Sequence, residues 1–282
     1  MSLTDTYTLN NGVKIPVIGF GTWQTPSGDI AYEAVSEALA AGYRHIDTAD
    51  AYGNEESVGR AIKDSGIDRS DIFVTTKLWN VNHGYEKTKQ AIKDSLNRLG
   101  LGYLDLFLIH WPNPLAFRDN WQEANAGSWK AMEEAYEAGK LRAIGVSNFR
   151  EHHLDALLQT ANVNPMVNQI FLNPSDLQEG LTAYNKAHDI LSEAYSPLGT
   201  GKIFGILDLQ TIVAKYNKSV AQLVLRWQLQ HGFLPLPKSV HAAYIKANTE
   251  IFDFEIDEAD MKQIDAHHGV AGLATDPDKA AF

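Results

Sequence analysis

The 282-residue chain reads as a (β/α)8 barrel, and two features of the sequence point there. Eight short apolar runs alternate with segments whose apolar residues recur at helical spacing, and no tract rich in Pro, Gly or Ser divides them. Strands joined by helical crossovers pair in parallel with right-handed connections. Closing eight of them into a barrel is the economical arrangement, and an open doubly wound sheet is the alternative. Residues 1–282 are expected to form one domain, since α/β barrels reach this length undivided.

The elements follow in chain order. Tyr7-Thr8-Leu9, the turn Asn10-Asn11-Gly12 and Val13 to Val17 predict a hairpin that closes the bottom of the barrel. The predicted strands are Val17–Gly21, Tyr43–Asp47, Ile72–Lys77, Leu104–His110, Arg142–Val146, Met166–Gln169, Ile190–Tyr195 and Phe233–Leu236. Runs such as Leu106-Phe107-Leu108-Ile109 suit strands buried on both faces. Among the helices, Tyr85, Thr88, Ile92, Leu96 and Leu99 share one face after a candidate cap, Asn82. Ser128 reads as the cap ahead of Met132, Ala135 and Tyr136, with Gly139 closing that helix. Ser219 and Gln222 match a capping box before a helix ending near Gly232.

Composition narrows the function. With 44% hydrophobic and 21% charged residues the chain can bury an ordinary globular core. Its formal net charge of −11 argues against nucleic-acid and anionic-membrane surfaces, which need clustered basic charge. There is no cysteine, so disulfides, thiolate metal sites and a cysteine nucleophile are excluded. The start MSLTDTYTLNNG does not read as a signal peptide, and no apolar run approaches the roughly 18 residues of a membrane span. A cytoplasmic protein is the expectation.

In an α/β barrel the chemistry sits at the C-terminal ends of the strands. Those ends carry Thr22 and Trp23, Asp47, Lys77, His110, Ser147 and Asn148, Gln169, Tyr195 and Ser196, then Lys238 and Ser239. Alone, each has an ordinary structural reading: a cap, a solvated lysine, a hydrogen-bonded core histidine. Together with Tyr52, Asp47, Lys77 and His110 have a specific use. Reducing a carbonyl needs a hydride donor and an acid for the developing alkoxide. A tyrosine keeps its proton at neutral pH, a nearby ammonium lowers its pKa, and a carboxylate holds the ammonium in place. His110 can donate to the carbonyl oxygen and orient it.

At this point the chain resembles the aldo-keto reductase family, in its diketogluconate and methylglyoxal reductase branch. The resemblance rests on Gly42-Tyr43-Arg44-His45-Ile46-Asp47-Thr48-Ala49 with Tyr52, Glu55 and Val58-Gly59, and on Arg142-Ala143-Ile144-Gly145-Val146-Ser147-Asn148-Phe149. Lys77-Leu78-Trp79, Ile109-His110-Trp111-Pro112 and Ala194-Tyr195-Ser196-Pro197-Leu198-Gly199 have the family's form as well. The resemblance implies a catalytic tetrad of Asp47, Tyr52, Lys77 and His110, with Tyr52 as proton donor. It implies NADP(H) as preferred cofactor, with NAD(H) as an alternative, and a monomer acting on a small-molecule carbonyl. Thr22, Ser147, Asn148, Gln169, Tyr195, Ser196, Leu198, Thr200, Lys238, Ser239 and Asn248 would bind the cofactor. Of these, Lys238 and Ser239 would meet the 2′-phosphate. Trp23, Trp79, Trp111 and Trp121 would wall the substrate pocket, whereas Trp129 and Trp227 read as core.

Some residues fall outside this pattern. Gly19-Phe20-Gly21 is no dinucleotide loop, because Gln24 takes the third glycine's place. Phe171 and Asn173 stand where the family commonly has Glu and His, and Tyr244 and Ala247 where it has Arg and Glu. Tyr244 cannot pair with a phosphate as a guanidinium does, so the NADPH preference should be narrow. Glu133-Glu134 and Asp253–Asp260 read as solvated faces, and His83, His152, His153, His267 and His268 show no convergent metal-ligand pattern. Two other classes remain open at this level: an idle nucleotide-sensing barrel and a metal-dependent barrel hydrolase.

Overall fold

The computed structural model describes residues Met1–Phe282. A hairpin of β1 (Thr6–Thr8) and β2 (Lys14–Pro16) opens the chain, paired through Tyr7 and Ile15. The side chains of its turn cap the barrel floor. Asn10 donates to the carbonyls of Pro165 and Asp189, Asn11 to that of Arg142, and the Tyr7 hydroxyl to that of Phe233. Each acceptor lies just before a barrel strand, so the hairpin closes the N-terminal face.

The barrel strands are β3 (Phe20–Gly21), β4 (His45–Asp47), β5 (Phe73–Leu78), β6 (Leu106–Ile109), β7 (Ile144–Ser147), β8 (Val167–Phe171), β9 (Leu191–Tyr195) and β10 (Leu234–Pro235). They lie side by side in chain order, every pair parallel. Backbone hydrogen bonds from Gly19 to Pro235 and from Gly21 to Pro237, both 3.0 Å, join the first strand to the last. The sheet therefore closes, and no open edge is left to pair with another chain. All eight predicted strands are present; each starts one to three residues later than predicted, and β5, β7 and β8 run one or two residues further at their C-terminal ends. One apolar core of 60 buried residues runs from Leu9 to Ala271.

The crossover helices include α1 (Asp29–Ala40), α2 (Glu55–Asp64), α3 (Tyr85–Leu99), α4 (Trp121–Glu137), α5 (Glu151–Leu158), α6 (Glu179–Ala187), α7 (Leu207–Ala214) and α8 (Val220–Gln230). The short α9 (Ala242–Ala247) and α10 (Glu258–Asp265) follow. The Ser219–Gln222 capping box forms, with Gln222 N–H to Ser219 Oγ at 3.2 Å and Ser219 N–H to Gln222 Oε1 at 2.9 Å. Gly139 ends α4 in the left-handed conformation.

Two caps differ from the sequence expectation for one reason. Ser128 lies inside α4, which begins seven residues earlier, and its Oγ accepts the Gly84 N–H (2.8 Å) and the Thr88 hydroxyl (3.0 Å). That contact takes a free donor at the start of α3, so Gly84 and not Asn82 precedes the helix. A partner helix overrides both local signals. Two supposedly solvated acids are also buried. Glu133 accepts the backbone N–H groups of Asn162 and Val163, and Asp260 pairs with Lys215 and Tyr216.

Helices α2 and α3 approach closely at Gly59, where an added Cβ would lie 2.1 Å from the Leu99 carbonyl oxygen. Gly59→Ala must push the helices apart and is expected to destabilise the fold by about 3 kcal/mol, as overpacking does. Gly102→Ala meets nothing within 4 Å and should stay within about 0.5 kcal/mol of wild type. Denaturant unfolding of both variants checks this, and equal midpoints would refute the packing assignment.

Candidate active site

Strand periodicity sends alternate side chains to one face, so residues two apart form a column. On β4 these are His45 and Asp47, on β5 Thr75 and Lys77, and on β9 Glu193 and Tyr195. Register sets Asp47 beside Thr75, and Gln169 beside both Ser147 and Glu193. The result is a buried polar cluster at the centre of the barrel, with Tyr195 half-buried at its edge.

Lys77 is its hub. Its Nζ lies 2.7 and 2.8 Å from the two Asp47 oxygens, 2.8 Å from the Thr48 carbonyl and 3.3 Å from the Tyr52 hydroxyl. Burial pulls the ammonium's pKa down, but Asp47 and Tyr52 outweigh it, so Lys77 stays charged. For Tyr52, burial raises the phenol's pKa more than Lys77 lowers it. The expected sign of the lysine's influence holds, yet the net shift is upward, and Tyr52 keeps its proton at neutral pH. His110 packs edge-on against Tyr52, with ring centroids 5.9 Å apart. Burial and the Lys77 charge hold it well below the usual histidine range, so it is a neutral imidazole.

Aromatic rings frame the mouth. Trp79 meets His110 edge-on at 5.4 Å, and the chain's last residue, Phe282, stacks over Trp79 and packs edge-on against Trp111 at 4.8 Å. The tail reaches this position through a series of ties. Ser175 accepts the Ala271 N–H, Asn113 donates to Asp278, and the Phe282 carbonyl accepts the Leu115 N–H. Trp23 stands 46% exposed above β3. Trp121 lies elsewhere: it starts α4, and its ring packs on His153 at 4.9 Å and on His152.

With this geometry in hand, comparison with known proteins is decisive. The model of the aldo/keto reductase family matches residues 17–268. The chain is 46% identical to the glyoxal reductase of Bacillus subtilis (strain 168), covering 100% of this chain and 99% of that protein. It belongs to the aldo/keto reductase family. Methylglyoxal reductase DkgA of Escherichia coli (strain K12) is 40% identical, over 96% of each chain. Among solved structures, a variant of Gox0644 in complex with NADPH superposes with a TM-score of 0.90 at 37% identity, over 98% of each chain.

This aldo/keto reductase presents most of its candidate cofactor residues along one arc of strand ends. Ser147 donates to the Gln169 carbonyl (2.8 Å). Asn148, in the left-handed conformation, donates to the His110 carbonyl (2.9 Å) and accepts the Tyr195 hydroxyl (2.7 Å). Gln169 Nε2 donates to Asp47 and Glu193, which leaves its carbonyl oxygen to receive an amide. Ser196, Gly199, Thr200 and Gly201 adopt positive φ, so the loop after β9 turns sharply around Leu198. Lys238 is exposed beside Ser239, and Asn248 is buried at the end of α9. Tyr244 is 64% exposed, edge-on to His241. Thr22 differs: its hydroxyl turns inward to the Asp47 carbonyl (2.9 Å), so its side chain braces the end of β4.

Three further residues escaped the sequence reading: His45 and Glu193, in the polar columns of β4 and β9, and Phe282 at the mouth. Asp278 ties the tail to Asn113 beside them. Asp278 also gathers His152 and His153, at 3.1 and 2.9 Å, into a cluster the sequence spacing did not reveal.

Several histidines are buried as neutral rings. Burial pushes His45 down to about 3, and His83 and His153 to about 4. The unfolded chain takes up these protons near pH 6.5 and the folded one only at lower pH, so stability falls on acidification from pH 6.5 towards 4. Each group contributes up to about 1.4 kcal/mol per pH unit in that window. His83→Gln is expected to flatten the fall in melting temperature between pH 6.5 and 5. An unchanged slope would place its protonation elsewhere.

Proposed function

We propose that this protein reduces small aldehydes, ketones and dicarbonyls to alcohols with NAD(P)H, preferring NADPH. The observation that carries the reading is the Lys77 ammonium, locked on Asp47 and within 3.3 Å of the Tyr52 hydroxyl. The assignment of Asp47, Tyr52, Lys77 and His110 as the catalytic set is part of the proposal. When bound, the nicotinamide supplies a hydride to the carbonyl carbon. The carbonyl oxygen then lies between Tyr52 and His110, and His110 orients it by a hydrogen bond from a neutral ring. As negative charge develops on that oxygen, Tyr52 gives up its proton and Lys77 stabilises the phenolate left behind. Asp47 keeps Lys77 in position.

The donor set suits the cofactor. Ser147, Asn148 and the side-chain oxygen of Gln169 offer the donors and acceptors that a carboxamide needs. Ser196 to Thr200 would follow the pyrophosphate, and Lys238 with Ser239 offers a cation and a hydroxyl to a 2′-phosphate. The pocket rings Trp79, Trp111 and Phe282 carry no side-chain charge, which favours a small neutral carbonyl. Glyoxal and methylglyoxal, substrates named for two relatives, are such compounds. The proposal extends to a monomer working in the cytoplasm.

Tyr52→Phe is expected to lower turnover of methylglyoxal by about 10² to 10⁴ with NADPH affinity unchanged. Retention of more than about a tenth of wild-type turnover, with hydride transfer rate-limiting, would remove Tyr52 as the donor. For cofactor choice, a hydrogen bond to a charged group is worth about 1.5–3 kcal/mol, and about 1.4 kcal/mol is tenfold in affinity. Tyr244→Arg should therefore tighten NADPH by about tenfold or more and barely change NADH. Lys238→Ala should weaken NADPH selectively, more so at low salt. Fluorescence titration with both cofactors measures this, and equal losses for NADH and NADPH would withdraw the phosphate role of Lys238.

A further inference from the structure

We propose that Glu193 is a positioning residue for this reaction: a carboxylic acid that stays protonated inside the barrel, aligns Gln169 with Asp47, and spares the Asp47–Lys77–Tyr52 cluster a second negative charge. The inference rests on Tyr52 being the acid.

The geometry comes first. Glu193 is completely buried on β9, two residues before Tyr195 and across the ladder from Gln169. A single amide nitrogen, Gln169 Nε2, donates to Glu193 Oε2 at 2.6 Å and to Asp47 Oδ2 at 2.9 Å. An amide has two hydrogens, so both point at carboxyl groups and the side chain cannot flip without losing both bonds. That fixes the orientation of the amide and leaves its side-chain oxygen free of both carboxyl groups. Glu193 thereby influences Gln169 and Asp47 without touching substrate.

Its charge state follows from its neighbours. The titratable groups facing it are His45 and Asp47 on β4, Lys77 on β5, Tyr52 in the loop beyond β4 and Tyr195 on its own strand. Lys77 is already satisfied by both Asp47 oxygens. His45 could neutralise an ionised Glu193 only as an imidazolium. Its Nε2 lies 3.7 Å from Glu193 Oε1 and 2.9 Å from the Thr75 hydroxyl, and burial with the Lys77 charge keeps the ring neutral. Glu193 Oε1 has no hydrogen-bond partner in the protein. A buried carboxylate with one neutral amide donor and an anionic neighbour is strongly disfavoured, and the proton resides on Oε1. Burial and Asp47 together push the carboxyl up to about 8, and ionisation there would raise the Tyr52 pKa further. A phenol made less acidic is a poorer proton donor to the alkoxide, so reduction should slow as Glu193 ionises, below the pH at which Tyr52 itself titrates.

The test is the pH dependence of turnover, pH 6 to 9.5, for wild type and Glu193→Gln with methylglyoxal and saturating NADPH. The glutamine retains an acceptor for Gln169 but cannot ionise. Wild type is expected to lose up to about tenfold between pH 7 and 9, from a group titrating near 8, whereas Glu193→Gln should keep its pH 7 rate across that range. Superimposable profiles would overturn the proposal.

A second readout is independent of Tyr52. The folded wild type holds a proton that the unfolded chain releases near pH 4.5, so its stability declines from pH 4.5 to about 8. The melting temperature of Glu193→Gln relative to wild type should rise over that interval. A constant difference would mean that Glu193 is ionised throughout and would also overturn the proposal. A rising difference with unchanged pH profiles would leave a protonated acid that does not act on Tyr52, and the positioning role would fall. Should Glu193→Gln not fold, an infrared titration of wild type decides, by the presence or absence at pH 7 of a carboxylic-acid band that disappears by pH 9. If instead Tyr52→Phe retains turnover, the acid assignment has failed, and the melting data still report the state of Glu193.

Discussion

The site depends on one interaction, the buried ion pair between Lys77 and Asp47. Both charges are buried, and removing one partner from such a pair typically costs about 3–5 kcal/mol because the other is stranded. The pair persists because its bonds are nearly complete. Lys77 has oxygen acceptors on β4, on the Thr48 backbone and on Tyr52, and Asp47 takes a further N–H from Gln169. That constellation draws on β4, β5, β8 and the loop after β4, so its precision depends on barrel closure. The bonds from Gly19 and Gly21 to the last strand therefore contribute to the chemistry as well as to the fold.

The barrel interior is unusual in carrying polar groups below its mouth. His45, Thr75 and Glu193 form a layer beneath Asp47, Lys77 and Gln169. Gly19 leaves room for the histidine, since a Cβ there would lie 2.6 Å from His45 Nδ1. His45 Nε2 meets the Thr75 hydroxyl and Glu193 Oε2 accepts from Gln169, while His45 Nδ1 and Glu193 Oε1 have no partner in the protein. The Lys77–Asp47 pair thus lies between this polar layer and the aromatic rings and tail that frame the mouth.

Legibility followed the range of the responsible interaction. The strands were readable because a run such as Leu106–Ile109 has one use in a chain of alternating elements, and the hairpin because Asn10-Asn11-Gly12 suits its turn. Ser128 misled because serine before an apolar stripe normally caps, whereas here it serves a neighbouring helix. Glu133 and Asp260 misled because an acid's burial depends on which backbone amides or cations fold over it. Glu193 carries a signal in the sequence, a carboxylate in an apolar strand at the same parity as Tyr195.

The sequence by itself determined the class of fold, the alternation that makes a barrel, the family and the set of polar residues at the strand ends. These are properties of local pattern, and local pattern survives without coordinates. Tertiary structure alone decided that Phe282 closes over Trp79, that Trp121 lies against His152 and His153, and that Gln169 joins Asp47 to Glu193. It also decided the balance at Tyr52, where burial outweighs the lysine. The physical reason is common to all of these: they are contacts or fields between residues far apart in the chain, and spacing along a sequence does not fix a distance through space.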